Sequence, residues 1–320
     1  MIRLVVLLLV LAGTAQAATP AATLDRVRSE GVLRCGSAIR PGLAFPAADG
    51  VLHGLNVDIC RAIAVAVLGP QARIDFSTYI PGRTFDQARN GQDEVSFLTA
   101  SEMLSEGLVG RVLPGPPVFY LATGALVPET SKAQRLADLA PENICAEPGT
   151  GPERALEAWF AARHLPLHYF MFQESDEMLD AYVASRCGAI VQEMPSLAGY
   201  RLNAEEEHPS RILAEPFSAV PLMVATGQDD GAWAALVGWT VQTLLRGETQ
   251  GQPGPGGGPQ PLPIAGFGLA PDWQAQVLKA TGSYADIYTR NLGADSPLEL
   301  PRGLNQLWTE GGLLCPPFTE

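Results

Sequence analysis

"GLNVDICRAIAVAVLGP", residues 54–70, decides the fold. Ile59, Ile63, Ala66 and Val67 recur at helical spacing, and Gly69-Pro70 supplies the exit signal. Before it stands "VLRCG" (32–36) and after it "RIDFSTY" (73–79), two short runs that read as strands. A short helix at "TLDRVRSEG" (23–31), another at "RTFDQARNG" (83–91) and a third strand at "EVSFL" (94–98) continue the alternation. Strands separated by helices pair in parallel, so the class is α/β. A second set of similar order follows. "YLATGALVP" (120–128) is extended, a strand at 143–146 leads to a helix from Pro152, and a strand at 168–173 and a helix at 175–186 precede a strand at 187–192. The last third is mainly helical, as in "DDGAWAALVGWTVQTLLRG" (229–247). Residues 247–263 are too rich in Gly and Pro to pack and read as a loop.

The ends and the composition bound the setting. Residues 1–18 have a basic start at Arg3, an apolar run and a small-residue close, Ala-Gln-Ala, which is the pattern of a cleaved secretory signal. Its loss leaves 20 basic against 34 acidic residues, a formal charge of −14. Such a chain does not hold nucleic acid or an anionic membrane through its general field. Five cysteines in an oxidising compartment imply two disulfides and one spare thiol. His164 and His168 stand four apart, but Pro166 breaks the helix that a shared metal would need, and no cysteine–histidine spacing suggests one either. No metal and no cofactor are expected.

The stretches 23–36, 54–69, "ICAEPGT" (144–150), "SRCGAIV" (185–191) and the tail "YADIYTRNLGADSPLELPRGLNQLWTEGGL" (284–313) together resemble the periplasmic amino-acid-binding proteins of ABC importers, in the general L-amino-acid branch. The resemblance implies the type II periplasmic-binding-protein fold, with two α/β lobes joined by two hinge strands around a ligand cleft. Lobe 1 would be 19–119 plus 221–320, and lobe 2 would be 120–220. Cys35, Cys60, Cys145 and Cys187 fall where that branch has cysteines, and Cys315 does not. Four cysteines allow three connectivities; the pairing expected here is Cys35–Cys60 and Cys145–Cys187.

Ligands in such sheets sit at the carboxyl ends of strands. "FLTASEMLSE" (97–106) is at such an end and should face the cleft. Thr99 and Ser101 supply hydroxyls there. The resemblance implies an arginine for the ligand carboxylate where Glu106 stands, and an aromatic near Glu102. It further implies an anion cradle at Gly149-Thr150, with Gly151 in place of a second hydroxyl residue, and a carboxylate for the ligand amine at Glu193. Asp58 matches the family pattern, but an acid in a first helical turn is favourable anyway. Phe45 and Tyr79 are candidates for stacking or for core. On a helix Glu102 and Glu106 would share a face. Two like charges about 4 Å apart repel by roughly 4 kcal/mol at an effective dielectric near 20, half the roughly 8 kcal/mol of a micromolar complex. A plain amino acid in the usual arginine-anchored pose is therefore not expected.

Three readings of the acidic pair stand side by side: a solvated face, an acidic wall for a cationic or polyhydroxylated ligand, or a catalytic carboxylate as in the cyclohexadienyl dehydratases of this fold. The expected function is a monomeric periplasmic solute-binding protein that delivers a small polar ligand, an amino acid or derivative, to an inner-membrane ABC permease. It makes no membrane insertion after signal cleavage and performs no catalysis. The alternative is a degenerate binder serving as sensor or accessory partner of another periplasmic protein.

Overall fold

The computed structural model describes residues 22–47, 49–80, 85–249, 264 and 267–316. The expected signal, residues 1–18, lies outside them, as does most of the expected Gly/Pro loop. Eleven strands are described: β1 Val32–Ala38, β2 Phe45–Pro46, β3 Leu52–His53, β4 Arg73–Tyr79, β5 Val95–Thr99, β6 Val112–Pro128, β7 Asn143–Ala146, β8 His168–Met171, β9 Ala189–Glu193, β10 Ser210–Ile212 and β11 Ser218–Gly227. The α-helices are α1 Ala22–Glu30, α2 Leu55–Leu68, α3 Asp86–Arg89, α4 Ala100–Ser105, α5 Gly151–Ala161, α6 Ser175–Val183, α7 Met194–Ala204, α8 Gly231–Thr249, α9 Trp273–Thr281 and α10 Tyr284–Asn291.

The helix that decided the sequence reading is α2. Leu55, Val57, Ile59, Cys60, Ile63 and Val65 are all buried, so apolar side chains occupy several of its faces and Arg61 keeps a narrow exposed one. It begins after Gly54, whose φ of 137° and closeness to the Leu43 carbonyl (2.2 Å from an added Cβ) admit no side chain. It ends where Gly69 donates its N–H to the Val65 carbonyl.

The sheet runs β4-β1-β5-β11-β6-β9-β7-β8, with β10 beside β6. At one end β4, β1 and β5 are parallel; at the other, β9, β7 and β8 are parallel. Between them β6 and β11 run antiparallel to each other and to their neighbours, and join the two halves. Thr123 of β6 registers with Ser218 of β11 and with Glu193 of β9. This is the two-lobed type II fold with two hinge strands and a helical C-terminal third. One core packs α2, α8, α9 and α10 on the first parallel set around Phe97, Trp233 and Tyr288. The second half packs Ile144, Leu156 and Phe160 on one face of its sheet and Met178, Tyr182 and Leu197 on the other.

Three local expectations are corrected. The first hinge strand starts at Val112, not Tyr120, and passes Pro114, Pro116 and Pro117. Proline brings no N–H to a ladder, but the register with β11 slips between Leu222 and Ala225, and such irregular pairing tolerates a missing donor. The expected loop at 247–263 overshoots, because α8 continues through Thr249. Cys187 is not in a strand but lies just ahead of β9. The disulfides are Cys35–Cys60, tying β1 to α2, and Cys145–Cys187 in the second half; Cys315 is a free, exposed thiol.

The tail is bound to the hinge. Buried Asn305 accepts the Tyr120 N–H at 2.6 Å and donates to the Tyr120 carbonyl at 3.2 Å, standing in for a strand's peptide group. Arg302 grips Glu248 of α8 with both terminal nitrogens and lies over the rings of Tyr284 and Tyr288.

Candidate functional site

A cavity of about 770 Å³ opens between the halves where strand ends converge. It is within the range of roughly 300–1,000 Å³ usual for small-molecule sites. Its centre is Arg40, two residues past the end of β1. Arg40 Nη2 donates to Glu102 Oε1 at 3.0 Å and Nε to Glu193 Oε2 at 2.7 Å. The first carboxylate comes from the same half as Arg40, the second from the end of β9 in the other half, so the guanidinium bridges the cleft. Burial works against its charge, but attraction and hydrogen bonds from Glu193 and Glu102 outweigh that and hold the guanidinium more firmly protonated. Its Nη1 is buried with no hydrogen-bond acceptor among the described residues.

Each partner is fixed by its own element. Glu102 closes the capping box of α4: its Oε2 accepts from Thr99 N at 2.7 Å and from Thr99 Oγ1 at 3.0 Å, leaving Oε1 for Arg40. Glu193 ends β9, and its N–H donates to Gln192 Oε1 at 2.9 Å. Gln192 Nε2 in turn donates to Glu147 Oε2 at 3.0 Å, and Ser175 Oγ donates to Glu147 Oε1. The carboxylates of Glu102, Glu147 and Glu193 thus face the arginines Arg40 and Arg154 across one cavity.

Thr99, Ser101, Glu102, Gly149, Thr150, Tyr79 and Glu193 all line this cleft. Three expected residues do not. Glu106 is outside it. It is the C-cap of α4, its N–H still donating to the Glu102 carbonyl, and Arg89 Nη2 donates to its carbonyl at 2.8 Å and approaches its carboxylate at 4.0 Å. Glu106 thus stands apart from the residues that line this cavity. Asp58 faces away and holds Arg290 at 2.9 Å and Asn291 at 2.7 Å. Phe45 lies in an adjoining groove.

The Gly149-Thr150 cradle is partly filled by the chain itself. Gly149 N–H donates to Glu153 Oε2 at 2.7 Å, Thr150 Oγ1 accepts from Glu153 N at 3.3 Å, and Pro152 brings no N–H. Tyr79 is core as much as cleft. Only 1% exposed, it packs on Phe85 at 4.8 Å between centroids and donates its hydroxyl to Asp93. Gly36 makes room, since an added Cβ would stand 2.1 Å from the Tyr79 oxygen.

Sequence reasoning missed Arg40, Glu147 and Gln192. The first two follow the ends of β1 and β7, and the strand-end rule applied to residues 97–106 would have found them.

Beneath the cleft floor, burial pushes the Asp93 carboxyl up to about 6; Tyr79 pulls the other way, and Glu94 and Asp75 add to the rise. The folded state therefore keeps a proton that the unfolded chain releases above its ordinary value near 4. This stabilisation is complete below that value and is lost as pH rises through about 6, by roughly 2–3 kcal/mol in all. Asp93→Asn is expected to flatten the pH dependence of urea unfolding between pH 4 and 7. A slope unchanged from wild type would refute the assignment.

No family model matches the chain. It is 30% identical over 326 residues to the general L-amino acid-binding periplasmic protein AapJ of Rhizobium johnstonii, covering 96% of this chain and 95% of that one. The chain belongs to the amino-acid-binding proteins of ABC transporters. This binding protein is also 28% identical to the putative amino-acid ABC transporter-binding protein YhdW of Escherichia coli, over 96% of its own length and 95% of the relative's. Among solved structures, a periplasmic binding protein from Brucella ovis with glutathione bound is 28% identical, with a TM-score of 0.73 over 91% of this binding protein and 97% of that chain. An ancestral cationic amino acid solute-binding protein shares the fold, with a TM-score of 0.59 at 19% identity, over 85% of this binding protein and 100% of that chain. One of these curated relatives is thus named as a periplasmic amino-acid binder and the other as a putative ABC transporter-binding protein. No helix among the described residues is long and apolar enough to cross a membrane.

Proposed function

We propose that this binding protein captures an α-amino acid or a derivative of one between Arg40 and Glu193, and delivers it to an inner-membrane ABC permease. The observation that carries the reading is the Arg40 guanidinium, held by a carboxylate from each half while its buried Nη1 lacks an acceptor among the described residues. A ligand carboxylate completes that donor set. A ligand ammonium meets Glu193 beside it. A zwitterion that enters here separates Arg40 from Glu193 yet leaves each charge paired. The pose differs from the arginine-anchored one in the family, because this arginine comes from the end of the first strand and not from the segment after β5.

The lobes divide at 119/120 and 220/221 in this reading. The facing of Tyr120 and Pro221 across the hinge strands supports those limits. The signal at 1–18 is removed and the mature chain acts as a periplasmic monomer, without cofactor or nucleic acid. It performs no catalysis: Glu102 has one oxygen in its helix cap and the other on Arg40, which leaves it poorly placed to move a proton. The Brucella ovis neighbour was solved with glutathione, a ligand longer than one amino acid, and that supports a derivative as well as a free amino acid here.

Thermal unfolding against a panel of amino acids and side-chain-extended amino acids tests this. A ligand at 100 times its dissociation constant adds about 2.7 kcal/mol of stability. Stabilisation by compounds with both an α-amino and an α-carboxylate group is expected, with loss when either is blocked. Stabilisation that survives blocking the amine would refute the pose.

A further inference from the structure

We infer that the cleft continues into an apolar side groove that holds the distal end of the ligand, and that the ligand is an α-amino acid whose side chain carries an apolar extension. The inference rests on the head-group pose proposed above. The groove has a volume of about 690 Å³ and lies between the β2–β3 hairpin, α7 and the segment after α10. Ile39, Ser175, Ser196 and Tyr200 line both the cleft and the groove, so the two spaces meet at shared side chains. Across this junction a ligand fixed at Arg40 and Glu193 reaches the groove with its side chain.

The groove's chemistry sets the class. Phe45 and Leu202 stand on opposite walls, each 47% exposed, and Ile39 at the junction is 45% exposed. Pro46 and Pro297 add further apolar surface. The cation on this wall is already spent, since Arg290 is held by Asp58 at 2.9 Å. An anionic end therefore gains nothing from Arg290, and His53 and Asp176 are of opposite charge type on the same lining, whereas a benzyl or alkyl group removes three large apolar side chains from water together with itself. The groove is also framed by both lobes. Arg201 of α7 donates to the Leu298 carbonyl at 2.6 Å, and Gly199 lies against Pro41. An extended ligand therefore touches the same two halves as its head group does.

The test compares L-glutamine with Nδ-benzyl-L-glutamine, which share the head group and the side-chain amide, by titration calorimetry on the full mature chain. The benzyl compound is expected to bind about tenfold tighter or better, in line with burial of an aromatic ring. Leu202→Glu places a charge on the groove wall at an exposed helix position, and Phe45→Ser removes the opposite wall. In each variant the ratio of the two dissociation constants is expected to fall below about threefold. Glutamine binding with no gain from the benzyl group overturns the groove and leaves the head-group pose standing. A gain that persists in both variants also overturns the groove. If neither compound binds, the head-group pose fails and the inference fails with it.

Discussion

Arg40→Ala is expected to weaken ligand binding by at least about a hundredfold. Two effects combine. A charge-assisted hydrogen bond to a ligand oxygen contributes roughly 1.5–3 kcal/mol, and the partners of a buried ion pair lose about 3–5 kcal/mol when the other member is removed. Here the loss leaves Glu102 and Glu193 facing the cleft without their shared cation. About 2.7 kcal/mol suffices for a hundredfold change. Arg40→Lys keeps the charge but not the fork, which now serves Glu102 and Glu193 through two different nitrogens; an intermediate loss near tenfold is expected. Calorimetric titration of the best ligand from the thermal panel measures both. Wild-type affinity, within threefold, in Arg40→Ala would show that the ligand is held elsewhere.

The second large effect is on stability. Cys35–Cys60 spans a sequence separation of 25 and Cys145–Cys187 one of 42. Loop-closure entropy gives roughly 3.5 and 4 kcal/mol for loops of those lengths, against a total of about 5–15 kcal/mol for an ordinary domain. Replacing either pair by serine is expected to lower the urea midpoint by roughly 1 M or more. Each bridge lies within one half of the molecule, so each replacement should expose its own half first. Hydrogen exchange should quicken around β1 and α2 in one case and around β7 and β9 in the other. Equal midpoints with and without reductant would contradict the prediction.

The two predictions differ in how far the sequence foretold them. A family resemblance placed the four cysteines, the pairing was one expectation among three connectivities, and the structure has that pairing, each bridge joining neighbours in one half. Arg40 did not stand out at all. Its partners are 62 and 153 residues away, and no local pattern relates "AIR" to "SEM" or to "QEM". Glu106 shows the converse failure. Spacing put it one helical turn from Glu102, but the two carboxylates are drawn to different arginines, Glu102 to Arg40 in the cleft and Glu106 to Arg89 outside it. The start of the first hinge strand was misplaced too: Pro114, Pro116 and Pro117 lie inside β6, where a broken register with β11 accommodates what a regular ladder excludes.

What the amino-acid sequence determined by itself is the class of the molecule: parallel α/β halves, a helix that ends at Gly69, and a cleft expected at strand ends. Those features depend on hydrophobic period, on glycine and proline, and on chain order, all local quantities that survive in one dimension. The charge of the binding site was decided only by the tertiary structure. Sheet order brings the end of β1 opposite the end of β9, and ions in a half-buried cleft choose partners by distance in space.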